Sequence, residues 1–194
     1  MIENALRSRQ VSFKLGITVK ALISAGTVAL AVLLPQLAHL ALGEQAGMRF
    51  LPMYLPVLLG GCLLGWQWGL GIGLLSPLVS YLIPAAAGSP MPALARLPFM
   101  MAELAVFAVI CGVFSDKIAR NGLMAFPAVL LAQLGGRSVF LLSAAAFSGV
   151  SPLNAAMVWS QIQTGFAGLL IQAVLAPVII IGLKALTDKS GSGK

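Results

Sequence analysis

The chain alternates long apolar runs with short polar breaks. Residues 1–14 are a polar, basic lead with Arg7, Arg9 and Lys14, suited to a surface amphipathic helix. The first run, 15–34, has the length of about 20 residues that a helix needs to cross hydrocarbon. Lys20 near its start can snorkel to the interface. Pro35 predicts an end or a kink, with His39, Glu44 and Arg49 in a wet connection beyond it. The second run, 53–64, is short for a bilayer, and Pro52 and Pro56 predict an irregular start. Trp66 and Trp68 follow in a turn, at the interface depth that tryptophan prefers. The third run, 69–83, carries Gly69, Gly71 and Gly73, small positions that let another helix come close. Residues 84–98 hold four prolines and predict either a stiff connector or a lid folded over a cavity. The fourth run, 99–114, has Glu103 near its start, and a polar turn occupies 115–122. The fifth, 123–147, is expected to be interrupted by QLGGR at 133–137. The sixth, 162–186, passes through Gln172 and Pro177, and residues 187–194 form a polar tail. The expected fold is an all-α integral membrane bundle of six transmembrane helices, between a lead at 1–14 and a tail at 187–194.

Composition explains why lipid must be the solvent. Hydrophobic residues make up 59% of the 194 and charged residues only 9%, with a mean hydropathy of +0.99. A soluble domain carries roughly 25% charged residues. A net charge of +7 would raise nucleic acid as a partner in a soluble protein. Here the basic residues stand mostly at the ends of apolar runs, so nucleic acid is set aside and the bilayer is the expected surroundings. Their placement is one-sided. Arg7, Arg9, Lys14, Lys20, Lys117, Arg120, Lys184, Lys189 and Lys194 fall on one side of the alternating runs, and Arg49 and Arg96 on the other. Positive charge is retained inside, so both termini are expected in the cytoplasm of a multi-pass (inner) cell-membrane protein. The first run is longer than a signal-peptide core, and no cleavable leader is expected.

Candidate chemistry is sparse. There is no GxxxxGK[ST] loop, no acidic metal cluster, and no Ser-His-Asp set around the single His39. No enzyme, cofactor or metal is expected, and ATP hydrolysis within the chain is excluded. Cys62 and Cys111 read as buried thiols. Arg137 is the most informative residue, because an ionisable side chain inside an apolar run faces a protein interior or a wet cavity. It is expected either to meet the anionic or polar part of a small ligand or to pair with Glu103 at similar depth. Gln133 stands one turn before it; Asn154, Gln161, Gln163 and Gln172 add amides around the sixth run. Ala21, Ala25 and Ala29 recur every fourth residue and give span 1 one smooth face.

These residues carry a resemblance. The chain is similar to the substrate-binding S component of energy-coupling factor (ECF) vitamin transporters over about 15–185. The stretch MYLPVLLGGCLLGWQWGLGIGLLSPLVSYL at 53–82 resembles the family's second and third helices, with a Gly-aromatic turn and a Ser-Pro ending. MPALARLPFMMAELAVF at 91–107 is similar to its proline-rich loop and Met-x-Glu-Leu-Ala helix start. GGR at 135–137 and GFAGLLIQAVLAPVI at 165–179 are similar to its fifth and last helices. Ala167 and the run Ala105-Val-Phe107-Ala108 depart from the family pattern. The resemblance implies a vitamin-like small molecule held near the outer surface, a transmembrane coupling subunit and two ATPase subunits as partners, and a toppling motion that delivers the cargo. It makes Arg137, Glu103, Gln133, Asn154, Gln163 and Met91 candidate substrate-binding residues, and Ala21, Ala25 and Ala29 candidates for docking the coupling subunit. The vitamin itself stays open, with Arg137 favouring a carboxylate or phosphate. The alternatives are a stand-alone secondary transporter or channel, which would often show inverted repeats, and a non-transporting assembly protein; 1–98 and 99–194 show no convincing repeat.

Overall fold

Hydrocarbon offers no partner for an open backbone group, so a chain this apolar must satisfy its N–H and C=O groups internally. The computed structural model describes residues 16–43, 49–86, 94–147 and 155–191, and these form helices and turns with no strand among them. The helices are α1 (Ile17–Leu42), α2 (Tyr54–Leu64), α3 (Trp66–Ala86), α4 (Leu97–Val113), α5 (Ser115–Arg120), α6 (Ala125–Ala146) and α7 (Ala155–Gly191).

Four helical stretches are long and apolar enough to cross a membrane alone: Ile17–Ala41, Leu94–Val113, Gly122–Ala146 and Ala156–Leu186. Six independent spans are therefore not what the described residues display. At a 1.5 Å rise, the 11 residues of α2 extend about 16 Å, roughly half of a hydrocarbon core. α3 is 21 residues long, and its Ser76 and Ser80 are buried against protein.

Several boundaries differ from the expectation, each for a local reason. α1 continues through Pro35 and ends only at Gly43. Gly43 N–H still donates to His39 O at 3.0 Å, and its positive φ of 85° then turns the chain out of the helix, a conformation that glycine adopts without steric cost. His39 thus lies inside α1. Residues Ser115–Arg120, expected as a turn, form a short helix. QLGGR does not interrupt α6, which is one 22-residue helix. α7 starts earlier than residue 162 and carries on to Gly191 through Pro177, taking in most of the expected tail.

α4 lies at the middle of the bundle, packed against α2, α3 and α6. α7 covers α6 and α2, and α1 leans on α2 and α3. The main core gathers Leu58, Phe107, Cys111, Val129 and Ile180. Outward, large apolar side chains such as Leu22, Leu40, Leu134, Leu142 and Leu186 stand exposed, the face that lipid covers. α1 is the least embedded: 17% of its apolar window is buried, against 44% for the windows of α4 and α6.

Candidate functional site

The interior polarity of the bundle converges on three side chains from three helices. Tyr54 is the first residue of α2, Glu103 lies on α4 and Arg137 on α6. Tyr54 Oη donates to Glu103 Oε2 at 2.7 Å. Arg137 Nη1 lies 3.1 Å from Glu103 Oε1. The guanidinium carbon sits 5.0 Å from the centroid of the Tyr54 ring, within the range of a cation–π contact. The Phe107 ring also packs on Tyr54, edge-on at 5.1 Å and 83°. Glu103 is 0%, Tyr54 2% and Arg137 7% exposed.

Gly136 is what lets α6 come this close. A Cβ there would overlap the Phe107 ring and stand 3.0 Å from Glu103 O. The glycines of QLGGR therefore serve close helix packing, not a break, and the packing sets Arg137 beside Glu103. Burying either charge alone would be strongly unfavourable, and pairing offsets part of that desolvation.

The pairing leaves donors over. The Nη1–Oε1 contact is short but off the line of a hydrogen bond, and Nε, Nη1 and Nη2 of Arg137 have no aligned partner among the described residues. Buried side-chain polar atoms in folded proteins mostly have partners, so unsatisfied ones call for a reason. A guanidinium fixed by an acid and an aromatic ring, with further N–H groups uncommitted, can grip an acceptor on a small molecule. One turn away toward the start of α4 and the end of α6, a small aromatic cluster closes that end: Phe99 lies edge-on to Phe140 at 6.4 Å and to Phe147 at 6.2 Å, beside Val158 of α7.

A second polar feature fixes the approach to α2. Gln172 Nε2 on α7 donates to both Phe50 O and Leu51 O at 2.8 Å. Two carbonyls at that distance require the nitrogen end of the amide to face them. Leu51 is buried with a positive φ of 47°, unusual for a branched residue, and Tyr54 N–H donates back to Leu51 O at 3.0 Å. Gly168, one turn before Gln172, makes room: a Cβ there would lie 2.8 Å from Phe50 Cα. The chain entering α2 is thus pinned to α7, and Tyr54 is aimed at Glu103.

Of the residues singled out in the sequence, Glu103 and Arg137 are brought together. Gln133 is buried but its Nε2 donates to Leu169 O at 3.1 Å, tying α6 to α7. Gln163 is exposed on α7 and does not join the three. Met91 and Asn154 lie outside the described residues. Tyr54 was not anticipated; the signal for it was a tyrosine at the mouth of an apolar helix, whose hydroxyl needs a partner once buried. Cys62 and Cys111 are buried free thiols, and no group of three potential metal ligands gathers among the described residues. Ala21, Ala25 and Ala29 are exposed and line an apolar groove of about 710 Å³ between α1 and α3, opposite Trp68 and Gly71.

Comparison with known proteins adds one match: residues 20–180 fit the family model described as ECF transporter, substrate-specific component. No curated protein and no solved structure matches the chain.

Proposed function

The chain belongs to the family of substrate-specific components of ECF transporters, and from that premise we propose that it binds a water-soluble vitamin or related micronutrient near the outer face and passes it inward with an ATP-driven ECF module. The observation that carries the binding half of this reading is the buried Tyr54–Glu103–Arg137 cluster with its uncommitted guanidinium donors. Arg137 is the proposed contact to the ligand, Glu103 and Tyr54 hold it in place, and Gln133, Met91, Asn154 and Gln163 remain candidate contacts around it. The partners are a transmembrane coupling subunit and two ATPase subunits, since the chain has no phosphate-binding loop of its own. The exposed small face Ala21, Ala25 and Ala29 on the least embedded helix is the proposed docking surface, because small side chains let a second helix backbone approach.

The full topology belongs to the same proposal: six membrane-embedded helices, α2 and α3 included, with both termini in the cytoplasm, as the one-sided basic residues favour. Reporter fusions at both ends should read cytoplasmic. Native mass spectrometry of the detergent-purified protein against a panel of water-soluble vitamins tests the binding function. One compound retained at one per chain is expected; a protein that retains none of them, alone or with a coupling module, contradicts it.

A further inference from the structure

The charges inside the bundle already balance. Glu103 and Arg137 are the charged side chains among the buried residues, and they lie 3.1 Å apart. Neither is free to turn away. Glu103 Oε2 is held by the Tyr54 hydroxyl, the Tyr54 ring contacts both Phe107 and the guanidinium, and the backbone ahead of Tyr54 is pinned by Gln172. An anion arriving at Arg137 would therefore meet a guanidinium whose charge is spoken for, and Glu103 could not swing out to make way.

Among the described residues, no second cation is buried with Arg137. Residues 87–93 and 148–154 contain no charged residue, and residues 44–48 contribute only Glu44, an anion. Arg49 is exposed and Arg96 half-buried, so neither belongs to the buried cluster. A carboxylate or phosphate seated against Arg137 would leave one uncompensated negative charge in a low-dielectric interior, which is the expensive case for a buried ion. A neutral acceptor asks only for donors, and Nε and Nη2 of Arg137, which the contact to Glu103 Oε1 does not engage, lack an aligned partner among the described residues.

We propose that the group recognised by Arg137 is an uncharged hydrogen-bond acceptor of the amide, ureide, ring-nitrogen or hydroxyl class, and that the site discriminates against a carboxylate or phosphate at that position. The inference rests on the reading of the Tyr54–Glu103–Arg137 cluster as the ligand site. It replaces the anionic ligand that an isolated arginine suggests, because the structure supplies that arginine with its own carboxylate.

The test uses acid and neutral forms of the same skeleton on the full chain in detergent. The probes are nicotinate and nicotinamide, biotin and biotin amide, and pantothenate and pantothenol, with pyridoxine and riboflavin as further neutral compounds, titrated at pH 7. For whichever pair binds, the neutral member is expected to bind at least tenfold more tightly. Glu103→Gln, which keeps an acceptor for Tyr54 but leaves Arg137 uncompensated, is expected to reverse the order within the pair. Wild-type protein that prefers the acid by tenfold or more overturns the proposal, as does Glu103→Gln with the wild-type order unchanged; both outcomes leave the ligand site itself standing. Wild-type protein that binds none of the probes overturns the site reading together with the inference. Should Glu103→Gln fold poorly, the selectivity of the wild-type protein alone decides between the neutral and the anionic ligand.

Discussion

Gly136 offers the sharpest check on how the site is assembled. Replacing glycine by alanine inside a helix ordinarily stabilises it by roughly 0.5–1 kcal/mol, because the unfolded backbone loses freedom and the helix gains propensity. At position 136 the added methyl would overlap the ring of Phe107, a side chain that is fully buried, and would crowd the carbonyl of Glu103 at 3.0 Å. Overpacking of this kind costs about 1–3 kcal/mol. Against the propensity gain, Gly136→Ala should lose up to about 2.5 kcal/mol net, a fall of up to roughly 10 °C in the unfolding midpoint for a chain of this size. Gly26 is the control: it lies in α1, and a Cβ there meets nothing within 4 Å, so Gly26→Ala should hold or raise the midpoint. Thermal unfolding in detergent, followed by tryptophan fluorescence, reads both. The Gly136 variant should also bind ligand more weakly, since α6 must move away from α4 and carry Arg137 with it. If Gly136→Ala melts at or above wild type, the close α4–α6 contact is wrong, and with it the placement of Arg137.

Three further outcomes follow from the same geometry. Arg137→Met strands Glu103 in the interior and should cost about 3–5 kcal/mol of stability, while Arg137→Met combined with Glu103→Leu should recover most of it; equal melting of single and double variants would deny the pair a structural role. Ala25→Trp should abolish transport in the presence of the coupling subunits and spare ligand binding by the isolated protein, whereas lost binding with intact assembly would make the alanine face internal packing. Gln172→Leu removes two hydrogen bonds worth about 0.5–1.5 kcal/mol each, and should speed hydrogen exchange at residues 49–54 selectively; unchanged exchange there would mean that the segment is held by other contacts.

How much of this was legible beforehand depends on the range of the information. The membrane class and the helix positions were, because apolar length is a local property of the chain: α2 and α4 begin and end within a residue or two of their runs. The fate of local breakers was not. Pro35 and QLGGR carry signals for a stop or an interruption, and neither stops its helix: α1 runs on to Leu42 and α6 is continuous from Ala125 to Ala146. In the site, Glu103 and Arg137 announced themselves as ionisable residues at membrane depth, and equal depth was enough to suggest that they pair. Tyr54 did not, because nothing in its own neighbourhood shows that Glu103, 49 positions away, will accept its proton donor. Gln172 is the same case at longer range: an amide in an apolar helix reads as generic glue until Phe50 and Leu51, more than 120 positions earlier, are seen to be its acceptors.

The central claim is that Arg137 holds the transported ligand, and one titration meets it directly. The variant is Arg137→Met with Glu103→Leu, in which no buried charge is left unpaired, and the probe is the compound that native mass spectrometry finds on the wild-type protein. Calorimetric titration of that compound into both proteins should show the variant folded and weaker by about ten- to a hundredfold, the loss of a charge-assisted hydrogen bond worth roughly 1.5–3 kcal/mol. A folded variant that binds the same compound with wild-type affinity would contradict the account.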